Sequence, residues 1–546
     1  MHESPSIRLI DKSSSEPASL SAASAFARIV PFLFLAFLTL ALRMPALHVP
    51  LDRDEGGFAY IAQTWLQGHL PYRDAFDNKA PLLYAMYGAA IALFGSTSEA
   101  LHLFFTLLAL LQVGLMYSIA KRWMSKESAL AAAFIFALLA SEPTYAVGTA
   151  GNASNLVLLP LLLAVWWLPA SAWLAGLFVG AAVMTKQTAL LQGFAFGIYL
   201  LLTRENTWRE TTKYLFGILL IPAAFTIYFF GRGAGTEFFH EVWAYNVQHS
   251  TGVAVGGHML EGLGQLRDHL WALAPAEGLI WFLAFGGLLS VCRFKNRGTG
   301  LMLEWLIASL ASVCVSFRFT SHYFVELAPA FALLSGYVLE FRGIPRHRWM
   351  SLMAVVVLSG VYLTINRDYL FGGAPEAFSR SAYEGNYFSE AVPVARRIAE
   401  TTSASDRVLI FGSEPEILFL SQRASATRHI FFYPLTLERA TLSARAEARR
   451  FQEEAARDVE AHWPDVIVWV NNPLSFLAGP TTDPYILDKG HAWLASGRYQ
   501  FEGAVLSEPG QPAHYFLDPE AAAKFNSSQI QQAAYVIYRL KGNHGQ

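Results

Sequence analysis

The chain has 546 residues, 54% of them hydrophobic and 15% charged, with 40 lysines and arginines against 42 acidic residues and a net charge of −2. With a pI near 6.7 it carries no basic surplus for nucleic acid, and its charged fraction lies well below the roughly 25% of ordinary soluble domains. The two cysteines, Cys292 and Cys314, give neither a disulfide framework nor a metal-ligand spacing; both read as small buried apolar residues.

The average hides two regimes. Residues 1–28, rich in Ser and Ala, read as a disordered cytoplasmic tail, residues 29–365 are dominated by apolar runs, and 366–546 resemble a soluble domain. The run from residue 29 lies too far from the start, and is too long, for a cleaved signal peptide, so it reads as a retained first span. A span needs about 20 apolar residues. By that measure candidates follow at 101–120, 129–146, 153–169, 172–186, 188–203, 214–230, 277–292, 301–317, 323–340 and 349–365, about 11 in all. The apolar stretch 82–94 is too short and reads as interfacial or re-entrant.

Charge sets the orientation. With 82–94 left out, one side receives Lys121, Arg122 and Lys126, then Arg204, Arg209 and Lys213, then Arg293, Lys295 and Arg297, then Arg342, Arg346 and Arg348. Basic short loops mark the cytoplasmic face. The opposite face then holds the loop 48–100, the loop 231–276 and the whole tail from Asn366. In that tail Val408–Gly412, Ile430–Tyr433 and Val466–Val470 read as buried strands, and 436–462 as a helix. The expected fold is thus mainly α, a polytopic helical bundle followed by an extracytoplasmic α/β domain packed independently.

The densest polar cluster, Asp52-Arg53-Asp54-Glu55-Gly56, opens the outer loop. Phe58, Ile61, Ala62, Trp65 and Leu66 follow at helical spacing, which predicts an amphipathic interfacial helix with its carboxylates at the N-terminus. Capping by Asp52 or Asp54 accounts for one of the three carboxylates; the others are candidates for chemistry. Lys79 stands at the mouth of the short apolar helix, placed either to hold a phosphate or to snorkel. Lys186 interrupts apolar sequence, marking either a functional charge at membrane depth or a hairpin end. Arg318 and His322, four apart, share a face if that stretch is helical. Glu414 and Glu416 flank Pro415 after a predicted strand and read as solvated loop acids.

Asp52-Arg53-Asp54-Glu55-Gly56, Pro71-Tyr72-Arg73-Asp74 and Lys79-Ala80-Pro81 resemble the first outer loop of bacterial C-type glycosyltransferases, specifically the protein O-mannosyltransferase-like family that includes the lipid A aminoarabinose transferases. Arg318-Phe319-Thr320-Ser321-His322-Tyr323-Phe324 resembles that family's second recurring patch. The resemblance implies an enzyme of the bacterial inner membrane and cell envelope. It would take a sugar from a polyprenyl-linked donor in the membrane lipid and pass it to a glycan, lipid or protein acceptor outside the cytoplasm. It implies Asp54 as the catalytic or acceptor-orienting carboxylate, with Asp52 and Glu55 beside it. Basic residues would hold the carrier phosphate, with Lys79, Arg318, His322 and Lys186 as the candidates. Glu55 is a candidate to assist Asp54 or to bind a divalent metal ion; no other cofactor is implied. A transporter or flippase, or a non-catalytic assembly protein, is the alternative. A transporter calls for ionisable groups at mid-membrane and repeated halves, whereas the polar residues here gather at one face.

Overall fold

The computed structural model describes residues 22–143, 148–203, 207–248, 258–293, 297–315, 318–340, 345–439, 441–508 and 511–542. The helices of ten or more residues before the tail are, among the described residues, α1 (Ala22–Arg43), α2 (Arg53–Leu66), α3 (Pro81–Phe94), α4 (Ser98–Ala120), α5 (Lys126–Leu139), α6 (Leu158–Trp167), α7 (Ala172–Val183), α8 (Ala189–Thr203), α9 (Thr207–Gly231), α10 (His258–Arg293), α11 (Arg297–Cys314), α12 (Ala328–Tyr337) and α13 (Pro345–Ile365). Among the described residues five stretches are long and apolar enough to cross a membrane: Ile29–His48, Ser98–Ala120, Thr207–Gly231, Gly262–Cys292 and Ser321–Glu340. Other expected spans fall on shorter apolar helices, such as Ala172–Val183 and Ala189–Thr203, and 82–94 is the short helix α3. The chain is therefore mainly helical, with several apolar helices.

Sequence explains where these helices begin. The side chains of Thr97, Ser125 and Ser171 accept from backbone N–H groups in the first turns of α4, α5 and α7, satisfying donors that apolar surroundings would leave orphaned. The expected outer loop 231–276 is in part helical instead. Residues 258–276 extend α10, which runs unbroken through Pro275. Both cysteines are exposed on the protein surface rather than buried; an apolar helix that faces lipid needs no protein cover for its outer side.

Helix α7 lies directly on α9. A Cβ on Gly176 would stand 2.0 Å from the Tyr214 carbonyl oxygen, and one on Gly180 2.4 Å from that of Ile218. Glycines four apart let two helix backbones meet where packing, not water exclusion, drives association. Gly180→Leu is expected to push the pair apart and destabilise the fold by about 1–3 kcal/mol or more, the cost of overpacking. Thermal unfolding of purified protein checks this, and an unchanged transition temperature counts against the contact. Arg43 ends α1 nearly buried and donates to the carbonyls of Gly148 and Thr149 at 2.8 Å each, pinning the first helix to the turn beyond α5.

The tail carries a six-stranded sheet of β1 (Arg407–Phe411), β2 (Ala424–Ser425), β3 (Val466–Val470), β4 (Tyr499–Leu506), β5 (His514–Phe516) and β6 (Ala533–Leu540), in the order β2-β1-β3-β6-β4-β5. The first three strands are parallel and the rest antiparallel. Parallel neighbours need crossovers, supplied by α14 (Glu416–Ser421) and α15 (Leu442–Ala461). Thr441 caps α15, so it starts later than position 436.

Ile430–Tyr433 is not a strand. It is buried coil leading into a short helix at Tyr433–Thr436. The Ser413 hydroxyl accepts from the N–H groups of both Phe432 and Tyr433 at 2.9 Å, and Pro434 has no N–H to give a sheet.

The tail also shares a hydrophobic cluster with the outer loop. Leu51, Phe58 and Tyr84 are buried in the same cluster as Ile410, Phe431 and Val468. The first turn of α2 presses on the tail itself, where a Cβ on Gly56 would meet the Glu416 Cβ at 2.4 Å.

Candidate active site

Helix α2 starts with a reciprocal cap. The Asp52 carboxylate accepts from the Glu55 N–H at 2.8 Å, and the Glu55 side chain reaches back to the Asp52 N–H at 3.4 Å. This capping box uses two of the three carboxylates for local structure. Glu55 is buried and turned away from solvent. It pairs with His102 at 3.3 Å and accepts from the Gly151 N–H at 2.6 Å. Burial opposes its charge, but His102 and these N–H groups outweigh burial and hold Glu55 below the usual carboxylate range. Burial, then the Glu55 and Asp54 charges, pushes Asp52 up to about 8. Asp54, partly buried in the first turn, takes no part in this reciprocal cap.

A cavity of about 440 Å³ gathers Asp52, Asp54, Lys79, Lys186, Arg318 and His322. Six of the seven candidate residues thus line one space, and Glu55 is the exception. Tail residues close part of its wall, namely Tyr383, Asn386, Phe388, Tyr433 and Leu477.

Lys79 lies in the extended segment before α3. Its ammonium donates to Asn78 Oδ1 at 3.1 Å. Asn246 and Gln187 donate to the Asn78 carbonyl at 2.6 and 3.1 Å, which fixes the segment. Burial disfavours the Lys79 charge, yet Asp77 and Asp54 outweigh it and raise the ammonium above the ordinary lysine value. Asp77 is itself buried and held by the Tyr84 hydroxyl at 2.9 Å.

Arg318 and His322 do not share a helical face. Phe319 has φ of 45°, and a 3-10 helix begins only at Ser321. The left-handed residue breaks the helix between them, although both still line the cavity. Lys186 sits in the turn between α7 and α8 and forms an ion pair with Glu326.

Glu414 and Glu416 are buried rather than solvated. Arg53 explains Glu414. Its guanidinium donates to Glu414 Oε1 at 3.2 Å, to the Ser413 carbonyl at 2.6 Å, to the Leu474 carbonyl at 3.0 Å and to Asn386 Oδ1 at 3.2 Å. This strap ties the start of α2 to the tail beside Asp54. Sequence reasoning assigned no role to Arg53 or to Tyr383 and Asn386. Arg53 sat inside the recognised motif and was legible as a neighbour of Asp54; the two tail residues stand in no pattern.

Among the described residues no three His, Cys, Asp or Glu side chains converge as a metal-ligand set. Glu55, the candidate metal carboxylate, is already engaged by His102 and by backbone N–H groups. No step below is routed through a metal ion.

The sequence model of the dolichyl-phosphate-mannose-protein mannosyltransferase family matches residues 78–229. No curated protein matches the chain in sequence. Among solved structures, ArnT from Cupriavidus metallidurans bound to undecaprenyl phosphate aligns with a TM-score of 0.54 at 16% identity, covering 82% of this chain and 93% of that one. The apo form of the same protein gives 0.54 at 16% identity over 94% and 98%. The Archaeoglobus fulgidus oligosaccharyltransferase in complex with Zn and sulfate gives 0.53 at 14% identity, over 89% of this chain and 72% of that one. The chain shares the fold of these proteins, and family match and fold agree with the resemblance to C-type glycosyltransferases.

Proposed function

We propose that this multi-pass membrane protein is a C-type glycosyltransferase that moves a sugar from a polyprenyl-phosphate-type carrier to an acceptor at the outer face of the bacterial inner membrane. The observation that carries the reading is the single cavity in which the Asp54 carboxylate faces the cations Lys79, Arg318 and Lys186 beside apolar helices. Sugar transfer by displacement at the anomeric carbon needs a base for the acceptor hydroxyl proton and positive charge where the departing phosphate gains negative charge. Asp54 supplies the first. Lys79, which Asp77 and Asp54 keep protonated, supplies the second together with Arg318, with His322 beside them. Asp52 and Glu55 hold the helix start that aims Asp54.

The solved structure of ArnT with undecaprenyl phosphate supports a lipid-phosphate ligand for the same fold. The amino terminus is cytoplasmic and the tail extracytoplasmic in this reading, as the basic loops require. The tail, which lines the cavity with Tyr383, Asn386 and Tyr433, positions the acceptor and covers the mouth. Polyprenyl-linked sugars, lipid and a glycan, lipid or protein acceptor are the partners.

The test is to incubate purified protein with a panel of polyprenyl-phosphate sugars and measure carrier release. Release from at least one donor, lost when Lys79 is replaced by methionine, is the expected result. No release from any donor, with and without added acceptors, counts against the proposal.

A further inference from the structure

Lys186 reaches the cavity with its charge already balanced. It pairs with Glu326, donates to Ser154 Oγ at 2.8 Å and lies 4.0 Å from the centre of the Tyr323 ring. Glu326 is 1% exposed and is locked behind the cavity wall. Its second oxygen accepts from Ser312 Oγ at 2.6 Å and from Gln192 Nε2 at 3.3 Å. Ser154, Ser312, Tyr323 and Lys186 line the cavity; Glu326 stands one layer back.

A carboxylate behind a phosphate-facing ammonium has two effects. It holds the ammonium in place, and it repels the anion that the ammonium attracts. The first effect is shared here, because the Ser154 hydroxyl and the Tyr323 ring also hold Lys186. The second belongs to the buried charge of Glu326.

Resting on the function proposed above, we infer that Glu326 is a positioning residue that tempers the grip of Lys186 on the carrier phosphate, so that the spent carrier can leave. A site that bound the phosphate more tightly before and after transfer would gain nothing in rate, and product release limits many enzymes. Glu326 thus trades affinity for turnover without touching the ligand.

The probe is a long-chain polyprenyl monophosphate titrated into the full-length protein in lipid nanodiscs, with bound carrier counted by native mass spectrometry. Glu326→Gln keeps the volume and one acceptor oxygen, turns the other oxygen into a donor, and removes the charge. It should bind the carrier about tenfold tighter, the scale of one charge several ångströms from an anion at an effective dielectric near 20. A packing defect loosens binding, so a tighter Kd separates the electrostatic role from a structural one. Lys186→Gln should bind at least about tenfold more weakly, because it leaves Glu326 facing the phosphate without its partner.

Should Glu326→Gln fail to fold, the double variant Lys186→Gln/Glu326→Gln decides. It buries no charge, and it should recover about fivefold of the affinity lost in Lys186→Gln. Unchanged or weaker binding in Glu326→Gln, or no recovery in the double variant, overturns the inference while the function stands. A wild-type protein that binds no polyprenyl phosphate overturns both.

Discussion

Asp54→Asn is expected to lower turnover of the lipid-linked donor by about 10²-fold or more, the usual scale for a general base, with the protein still folded. Three carboxylates crowd four positions, and the structure separates their duties. Asp52 and Glu55 exchange hydrogen bonds as a helix cap, and Glu55 is further bound by His102 and Gly151. Asp54 contributes to neither arrangement and lines the cavity. Asparagine preserves its size and its place in the first turn, so a change in rate reports the lost base. Asp52→Asn can still accept at the cap and should cost far less turnover. Glu55→Gln should show its loss first in folded yield, because a buried ion pair breaks. If Asp54→Asn keeps near-normal turnover with a well-characterised donor, Asp54 leaves the mechanism and Asp52 becomes the carboxylate to test.

Arg53→Ala should be nearly as damaging, by a different route. The guanidinium holds four tail groups at once. Removing it takes the cation from Glu414, which is 2% exposed and keeps neutral donors such as the Ser475 hydroxyl at 2.7 Å. Breaking a buried pair on one side costs about 3–5 kcal/mol. The expected signature is loss of transfer together with faster proteolytic release of the tail. Arg53→Ala/Glu414→Gln should recover part of the stability, since the orphaned charge is gone. Arg53→Lys should recover little, because an ammonium cannot span the fork of acceptors that a guanidinium does. Full activity and unchanged protease resistance in Arg53→Ala would show that the strap is dispensable.

Much of this arrangement was readable from local pattern. The apolar runs, the acidic opening of α2, the strands expected at Val408–Gly412 and Val466–Val470 and found at Arg407–Phe411 and Val466–Val470, and six residues of the cavity wall all announce themselves within short windows. What escaped depends on partners far away in the chain. Glu414 and Glu416 look like loop acids until Arg53 and Gly56, some 360 positions earlier, are laid against them. Ile430–Tyr433 has the composition of a strand, but a serine hydroxyl takes the hydrogen bonds a neighbouring strand would have taken. Arg318 and His322 have helical spacing, but one residue at positive φ undoes the helix. The three carboxylates were legible as a group and illegible as individuals, because capping and catalysis ask for the same residue types at a helix start.

The strap also sets a clock. Arg53 binds groups 360 and 421 residues downstream, and at about 5–20 residues per second of synthesis the last of them emerges roughly 20–80 s after it. Throughout that interval the nascent chain already carries Asp54 and Lys79 but lacks the tail residues and the anchor that complete the cavity wall. On the function proposed above, the complete cavity is therefore expected only once the far end has folded back onto the start of α2. A chain that ends before Ser413 is expected to lack most of the strap's acceptors and part of the tail's share of the cavity wall.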